Sequence, residues 1–259
     1  MSTALVTGAS AGIGKEFARQ LAERGHDVVL VARDRARLEN VSDQLRRSYG
    51  VRTEVLVADL SDRSDMGKVA LRLADDLRPV DLLVNNAGHG LGEPFLDNDV
   101  DIEEQLFEVL CKAVLVLSHA AARGMRVRGH GALVNVSSVA SFAATGTYSA
   151  AKSWVTAFSE GLASELAGTG VTVTALCPGF TRTEFHARAQ LNMSHLPSAL
   201  WLDAGDLVRA CLDDVSRGKV VSVPGAQYKA MVGALRVLPR GLTRAASGGL
   251  HRRRRRPPG

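Results

Sequence analysis

The sequence predicts an α/β fold in which helices cover both faces of one parallel, doubly wound β-sheet. Three observations lead to this fold class: seven short apolar runs, longer segments of helical periodicity between them, and a length of 259 residues that suits one domain. Regular alternation of strands and helices implies right-handed crossovers between parallel strands. We therefore expect one domain over residues 1–225, followed by an amphipathic helix and a disordered basic tail over residues 226–259.

The expected strands are almost continuously apolar, as strands covered on both faces are. Residues 180–203 lack a clear period and contain Pro197, which predicts a flap or short helices. Ligands of such sheets bind beyond the carboxyl ends of the strands, where the strand order reverses. The expected strands are TALVT (3–7), DVVLVA (27–32), TEVLVA (53–58), DLLVN (81–85), ALVNV (132–136), VTVTALC (171–177) and VVSV (220–223). The expected helices cover residues 14–24, 35–49, 64–77, 103–127, 150–167 and 204–217.

The net charge of +5 belongs to the end of the chain. Residues 240–259 contain seven arginines and no acidic residue, so residues 1–239 carry about −2. This distribution gives no indication of a nucleic-acid groove on the body of the protein. The RRRRR run at 252–256 is interpreted either as a solvated, disordered terminus or as a patch that contacts anionic membrane.

A helical pattern precedes the arginine tail. Its apolar residues recur at helical spacing, and under the second interpretation of the tail they pack on a partner subunit or lie in a membrane interface. These residues are Tyr228, Met231, Val232, Leu235 and Leu238.

The three cysteines, Cys111, Cys177 and Cys211, are far apart and form neither a CxxC pair nor a metal-ligand spacing. We expect buried, reduced thiols and no metal site. The N-terminus MSTALVTGAS lacks the basic region and long apolar stretch of a signal peptide, and no run approaches the length of a membrane span. These features predict a cytoplasmic protein, with peripheral membrane contact only under the second interpretation of the tail.

The first strand runs into TGASAGIG, which contains Gly8, Gly12 and Gly14. Glycines allow a tight turn and let backbone N–H groups approach a pyrophosphate, and the following helix directs its N-terminal dipole at that group. The spacing GxxxGxG differs from the common GxGxxG pattern, and a plain tight turn is the alternative. The position between a strand and a helix favours a dinucleotide site, to which Ser10 and Ile13 are expected to contribute.

The end of the second strand distinguishes the two nicotinamide cofactors. An acidic residue there binds the adenosine ribose hydroxyls of NAD(H), whereas an arginine attracts the 2′-phosphate of NADP(H). The segment VLVARDRARL places Arg33 at this point and Asp34 just beyond it. We expect NADP(H) rather than NAD(H). The alternative is that Arg33 is a solvated surface charge.

The segment TYSAAK (147–152) places Tyr148 and Lys152 four residues apart, on one face of a helix. A phenol has a pKa of about 10, which is high for acid–base chemistry at neutral pH. A lysine charge about 4 Å away favours the phenolate by about three pKa units, and desolvation opposes this effect. Such a tyrosine can exchange a proton with an alcohol oxygen while a nicotinamide exchanges hydride. The alternative is a tyrosine that packs beside the lysine stem.

Three more motifs fall at strand ends: NNAG (85–88), NVSS (135–138) and CPGFTRT (177–183). Together with TGASAGIG and YSAAK, their order and spacing closely resemble the short-chain dehydrogenase/reductase family over about residues 3–223. The resemblance implies a Rossmann-like domain that uses NAD(P)(H). We also expect a homodimer or homotetramer.

By this resemblance Tyr148 is the acid/base, Lys152 lowers its pKa and holds the nicotinamide ribose, and Ser138 binds the substrate oxygen. Asp59, in VADL, resembles the residue that fixes the adenine amino group, and Leu60 follows it. The other implied cofactor contacts are Asn86, Ala87 and Gly88 on the adenosine side, and Pro178, Gly179, Thr181 and Thr183 beside the nicotinamide.

The sequence departs from the family pattern at two points near the catalytic residues. Leu110 occupies the position of a usual asparagine that supports a water and the catalytic lysine. The interval from Ser138 to Tyr148 is about three residues short, which makes Ser137 an alternative substrate-facing serine, although Ser138 is preferred. The chain also continues past VVSVPG (220–225), unlike acyl-carrier-protein reductases.

The leading hypothesis is an NADP(H)-dependent oxidoreductase that acts on a carbonyl/alcohol pair. A catalytically weak NADP(H)-binding sensor or scaffold is the alternative; Leu110 favours it, and the complete serine, tyrosine and lysine set argues against it. Apolar flap residues suggest a lipophilic substrate, unless they only pack the flap onto the body. These residues are Leu191, Met193, Leu196, Leu200 and Trp201.

Overall fold

Seven parallel strands form the central sheet of the structure, a computed structural model that describes residues 2–143, 145–185 and 196–237. Their order is β3-β2-β1-β4-β5-β6-β7, so the strand order reverses between β1 and β4. The predicted fold class and all seven predicted strands are confirmed. The strands are β1 (Thr3–Thr7), β2 (Asp27–Ala32), β3 (Thr53–Val57), β4 (Leu82–Asn85), β5 (Gly131–Val136), β6 (Val171–Leu176) and β7 (Val221–Ser222).

The helices follow the strands and cover both faces of the sheet. A π-helical turn, Glu108–Lys112, joins α4 to α5, and short 3₁₀ helices span Phe95–Asp97, Val139–Phe142 and Ser198–Leu200. The α-helices are α1 (Gly12–Glu23), α2 (Arg35–Tyr49), α3 (Arg63–Leu73), α4 (Val100–Phe107), α5 (Ala113–Arg128), α6 (Gly146–Glu165), α7 (Ala204–Ser216) and α8 (Ala226–Val237). Helix α6 begins four residues earlier than predicted, which places Tyr148 inside it.

Strand β1 shows why the strands read as continuous apolar runs. Ala4 and Val6 belong to a buried cluster with side chains of α1, α2 and α7. Leu5, between them, belongs to a second cluster with side chains of α3 and α5. Because successive side chains of a strand point to opposite faces, a strand covered on both sides needs an apolar residue at every position.

The continuous helical stretch Val100–Arg128 is long and apolar enough to cross a membrane by length and composition, contrary to the expectation that no run approaches this length. Half of its most apolar window is buried inside the fold. Leu106, Leu117 and Met125 on this stretch are completely buried in the protein. The stretch is therefore interpreted as a core helix.

The C-terminal helical pattern forms helix α8, but its apolar side chains do not all face outward. Tyr228 and Val232 are 2% and 4% exposed, against the body of the same chain. The expectation that these two pack on a partner or a membrane is wrong, whereas Met231 is 39% exposed. Leu238 and the arginine tail lie outside the described residues, so membrane contact through the tail stays a prediction.

The flap predicted at 180–203 is described at its two ends, which we name the flap stems: residues 180–185 and 196–202. Thr181 and Leu202 form an isolated parallel β-bridge that joins the stems. Leu191 and Met193 of the predicted apolar set lie outside the described residues. The three cysteines are buried and free, as predicted.

Candidate active site

The glycine turn after β1 is shaped by close backbone approach. Gly8 and Gly12 have positive φ angles of 67° and 54°, a region that side chains disfavour. A Cβ on Gly14 would overlap the carbonyl oxygen of Gly8, and a Cβ on Gly8 would lie 2.8 Å from Asn86 Nδ2. The glycines therefore let the start of α1 pack directly against Gly8, and let Gly8 pack against the loop that follows β4.

The N-terminus of α1 differs from those of the helices that begin with an aspartate. Ala11 stands at its N-cap and makes no side-chain capping bond, and its first turn contains no acidic residue. Uncapped N–H groups at a positive dipole end suit an anion such as a pyrophosphate. Helices α2, α3, α4 and α7 are instead capped by the carboxylates of Asp34, Asp62, Asp99 and Asp203.

Thr7 and Asn86 join the ends of β1 and β4 at the point where the strand order reverses. The backbone N–H groups of Asn86 and Ala87 both donate to Thr7 Oγ1 at 2.9 Å, and Asn86 Nδ2 donates to the Thr7 carbonyl at 2.9 Å. Thr7 was not among the predicted site residues, although it opens the TGASAGIG motif. These bonds fix the floor of the crevice.

The end of the crevice that is predicted to bind adenosine carries Arg33, Asp34 and Asp59. The Arg33 side chain is 75% exposed, and its Nη1 lies 3.8 Å from Asp59 Oδ2. Asp34 Oδ1 accepts a 3.0 Å bond from the N–H of Arg37, so this carboxylate is used as the cap of α2. Burial raises the pKa of Asp59, but hydrogen bonds from Ser61 and the charge of Arg33 bring that pKa below its ordinary value.

Two predicted cofactor residues have side chains that pack against the apolar clusters of the fold. Leu60 is 6% exposed and belongs to the apolar cluster of α3 and α5, which leaves only its backbone for a ligand. Ile13 packs partly against the opposite cluster. Ser10 lies in the glycine turn and is partly exposed.

Ser138, Tyr148 and Lys152 come together at the carboxyl end of β5. Tyr148 is hydrogen-bonded to Ser138. Lys152 Nζ lies 5.8 Å from the centroid of the Tyr148 ring and donates to the Val136 carbonyl at 2.7 Å. Ser137 is 2% exposed and donates instead to the Lys152 carbonyl at 2.8 Å, so it points into the base of α6. The geometry places Ser138, and not Ser137, beside the tyrosine.

Burial dominates the electrostatics of this set. It raises the pKa of Tyr148 to about 12, against the smaller lowering effect of the Ser138 hydrogen bond. It also lowers the pKa of Lys152 to about 8. The expected net lowering of the Tyr148 pKa by Lys152 is therefore wrong for the chain by itself, because the desolvation of a buried phenolate exceeds the stabilisation available to it.

Leu110 lies behind Lys152, the lysine predicted to be catalytic. It is 1% exposed, sits in the π-helical turn, and its Cδ2 would be 2.7 Å from a Cβ on Gly88. The same hypothetical Cβ would lie 3.9 Å from Lys152 Nζ. Gly88 thus leaves room for Leu110, and the side chain at this position offers no hydrogen bond to the lysine.

The loop after β6 runs from the Ser138 turn to the glycine turn. The Pro178 carbonyl accepts a 2.9 Å bond from the N–H of Val139, which ties this loop to the turn after Ser138. Thr181 is 3% exposed and donates to the Gly179 carbonyl at 3.0 Å. Thr183 lies over the glycine turn, 3.3 Å from the place of a Cβ on Gly12. The structure therefore brings both ends of the predicted cofactor set to one crevice.

Sequence reasoning missed several residues around the crevice. The ring of Phe185 lies 6.1 Å from that of Tyr148 and gives the Tyr148 end of the crevice an aromatic wall. His89, directly after NNAG, is half-buried, and burial lowers its pKa. Tyr228 reaches the flap stems from α8 through hydrogen bonds at Phe180 and Leu200. Of these residues, only His89 could have been assigned to the crevice from the sequence, because it directly follows NNAG.

A switch-point crevice with a glycine turn at one end and a serine, tyrosine and lysine set at the other defines a nucleotide-dependent oxidoreductase architecture. Comparison with known proteins agrees, since a family model described as short chain dehydrogenase matches residues 2–193. The chain belongs to this family of oxidoreductases.

Named relatives share the same architecture. An uncharacterized oxidoreductase of Staphylococcus aureus strain N315 is 32% identical over 223 residues, which cover 85% of this chain and 93% of the relative. A short-chain dehydrogenase from Sphingobium yanoikuyae, solved in complex with NADPH, is 38% identical with a TM-score of 0.84, covering 90% of this chain and 93% of that one. The bulky-bulky ketone specific alcohol dehydrogenase from Comamonas testosteroni is 32% identical with a TM-score of 0.79, covering 93% and 96%.

Proposed function

We propose that this oxidoreductase uses NADP(H) to interconvert a carbonyl group and an alcohol on a lipophilic substrate. The observation that carries the proposal is the placement of Ser138, Tyr148 and Lys152 at the carboxyl end of β5, with Lys152 5% exposed. The relatives are oxidoreductases and dehydrogenases, and they give no support to the alternative of a sensor or scaffold.

The residues present fit a nicotinamide dinucleotide, which supplies or accepts hydride when bound. The uncapped start of α1 and the close glycines would hold the pyrophosphate. Asp59 and the backbone of Leu60 would hold the adenine, and Lys152 the nicotinamide ribose. The loop from Pro178 to Thr183 would flank the nicotinamide.

The proton chemistry belongs to the chain. Tyr148 would pass its hydroxyl proton to a substrate oxygen or take one from it, and Ser138 would hold that oxygen by a hydrogen bond. With a pKa of about 8, Lys152 is mostly protonated at neutral pH, so a positive charge faces the tyrosine as negative charge develops on the phenol oxygen.

The preference for NADP(H) rests on the end of β2. Arg33 is open to solvent and available to a 2′-phosphate. The nearby carboxylate of Asp34 is used in the cap of α2 and is less available to ribose hydroxyls. The relative from Sphingobium yanoikuyae was solved with NADPH, which agrees with this preference.

The lipophilic character of the substrate rests on the aromatic wall. Phe185 stands beside Tyr148, and Phe180 lies 6.0 Å from Trp201 at the base of the flap. The relative from Comamonas testosteroni is specific for bulky ketones. Trp201 also packs under the Arg182 guanidinium, so part of the apolar flap surface serves the stems themselves.

Turnover by the purified full chain tests the proposal. A panel of small, aliphatic and bulky ring ketones is offered with NADPH or NADH, and cofactor oxidation is followed by absorbance. We expect turnover that is faster with NADPH and extends to bulky ketones. An absence of turnover with every ketone and alcohol, together with intact NADPH binding, would favour a non-catalytic nucleotide-binding protein.

An assembly of identical chains is also proposed. Phe107 on α4 and Leu115 on α5 are 51% and 45% exposed, and Trp154 and Phe158 stack on α6 with ring centroids 4.9 Å apart. Apolar side chains on neighbouring helices suit an interface. Light scattering should give a dimer or tetramer that Phe107→Glu dissociates, and a wild-type monomer would refute the assembly.

A further inference from the structure

We propose that Tyr228 of helix α8 is a positioning residue that fixes the base of the flap and thereby the shape of the substrate side of the site. The effect of Tyr228 on substrate presupposes the proposed carbonyl chemistry. Its contacts with the flap stems are independent of that chemistry.

The two flap stems meet at a short ladder of backbone bonds. The N–H of Leu202 donates to the Phe180 carbonyl at 2.8 Å, and the N–H of Arg182 donates to the Leu202 carbonyl at 3.0 Å. A pairing held by only two backbone bonds has marginal stability in water on its own. These two bonds therefore form a weak base for the flap. An additional contact is needed to hold the stems in one position.

The hydroxyl of Tyr228 supplies that contact to both stems. It accepts a 3.0 Å bond from the N–H of Phe180 and donates a 2.5 Å bond to the Leu200 carbonyl. Tyr228 is 2% exposed, so water competes little for these bonds. One buried oxygen therefore joins the segment that leaves β6 to the segment that enters α7.

The ring of Tyr228 determines the residue at position 179. A Cβ on Gly179 would overlap the Tyr228 ring at three carbon atoms. Gly179 does not have a positive φ angle, so the close approach of the Tyr228 ring, and not backbone conformation, requires glycine here. Gly179 was assigned by resemblance to the nicotinamide side, and the structure adds a second reason for its presence.

Helix α8 also reaches the catalytic serine. It packs against the 3₁₀ helix Val139–Phe142, which begins directly after Ser138. At the far end of the first stem, Phe185 stands 6.1 Å from the Tyr148 ring. The C-terminal helix thus contacts both the serine turn and the flap base, so a change at Tyr228 alters the space beside Tyr148 without touching the glycine turn.

The test compares Tyr228→Phe with Tyr49→Phe, a matched loss of one tyrosine hydroxyl. Tyr49 accepts a 3.2 Å bond from Arg19 Nη1 between α1 and α2, away from the flap stems. Hydrogen exchange followed by mass spectrometry reports on peptides over 178–185 and 196–203. We expect exchange in both peptides to rise about tenfold in Tyr228→Phe and to stay at the wild-type rate in Tyr49→Phe.

Steady-state kinetics distinguish a positioning role of Tyr228 from a general loss of stability. In Tyr228→Phe the KM for a bulky ketone should rise at least about fivefold, while kcat for a small ketone and the Kd of NADPH change less than about twofold. Unchanged exchange in either peptide, or an equal loss for small ketones, bulky ketones and NADPH, overturns the proposal. If the wild-type chain turns over no ketone, the proposed function fails, and the exchange measurement still decides whether Tyr228 holds the stems.

A second variant, Gly179→Ala, covers the case in which Tyr228→Phe does not fold. Its methyl group would overlap the Tyr228 ring and should raise exchange in both peptides, whereas Gly233→Ala on α8, with no atom within 4 Å of the new Cβ, should leave exchange at the wild-type rate. Wild-type exchange in Gly179→Ala would show that the ring of Tyr228 does not determine position 179.

Discussion

The glycine turn after β1 and the flap base after β6 face each other across one crevice, and they are built by different means. The glycine turn consists of backbone in contact with backbone, as where Gly14 lies against the Gly8 carbonyl. The flap base is held by a side chain, since the Tyr228 hydroxyl reaches across from α8 to Phe180 and Leu200. The half made of backbone suits an invariant ligand such as a dinucleotide, and the half made of side chains can be altered by one substitution to suit another substrate.

Tyr148→Phe gives the largest expected effect and separates the two halves most sharply. The substitution keeps the ring and removes the transferable proton, so turnover should fall about 10²- to 10⁴-fold. The Kd of NADPH should stay within about twofold, because the glycine turn is unaffected. Stopped-flow turnover and fluorescence titration measure the two quantities, with Tyr49→Phe as the control. More than about a tenth of the wild-type rate in Tyr148→Phe would refute the acid–base role.

Gly14→Ala tests the half made of backbone. The added methyl group overlaps the Gly8 carbonyl, so we expect a loss of about 3 kcal/mol in the free energy of unfolding, together with weaker NADPH binding. Gly161→Ala on α6 is the matched control, because no atom lies within 4 Å of its new Cβ. This control should gain about 0.5–1 kcal/mol. Similar urea midpoints for the two variants would show that the turn is not tightly packed.

The pH dependence of stability tests the buried lysine at the substrate half. The pKa of Lys152 is about 8 in the folded chain against an ordinary 10.5, so between these values the unfolded chain binds the additional proton. The free energy of unfolding should therefore rise with pH over this range, on the order of 2 kcal/mol between pH 8 and 10. Above pH 10 the raised pKa of Tyr148, about 12, makes stability fall again.

Lys152→Met should abolish the rise between pH 8 and 10, whereas Lys15→Met, at an exposed position, should retain it. Urea unfolding at a series of pH values measures the effect. A rise that persists in Lys152→Met would assign it to another group.

Arg33→Ala gives the smallest expected effect and tests cofactor choice. Loss of a charged hydrogen bond to the 2′-phosphate should weaken NADPH binding about 10- to 100-fold, with little change for NADH. The exposed Arg47 at the far end of α2 provides the control, and Arg47→Ala should leave both affinities unchanged. Isothermal titration with both cofactors decides, and equal losses for NADPH and NADH would remove Arg33 from phosphate recognition.

Local patterns explain how much could be predicted from the sequence. The strands and the glycine turn were predictable because each depends on neighbouring residues, as Gly8, Gly12 and Gly14 show. Tyr228 was not predictable as a flap contact, because its partner Phe180 lies 48 residues away and helical spacing alone says nothing of which body a helix packs on. The choice between Ser137 and Ser138 also depended on the position of α6, because the Ser137 hydroxyl donates a hydrogen bond to the Lys152 carbonyl of that helix.

The electrostatics of the tyrosine were mispredicted for a related reason. The distance between Tyr148 and Lys152 follows from helical spacing, but the desolvation of both depends on the helices and loops packed around them. Leu110 illustrates the same limit, since its departure from the family pattern was visible while its contact with Gly88 was not.

The bare N-terminus of α1 has a consequence for the life of the protein in a cell. Four helices are capped by aspartates of the chain, whereas the start of α1 is uncapped, so a nucleotide bound there would add directly to the free energy of unfolding. At a nucleotide concentration a hundred times the Kd, the gain is about 2.7 kcal/mol, equivalent to roughly a hundredfold smaller unfolded population. Degradation of the chain would then slow when the bound dinucleotide is plentiful and quicken when it is scarce, so protein abundance would follow cofactor supply.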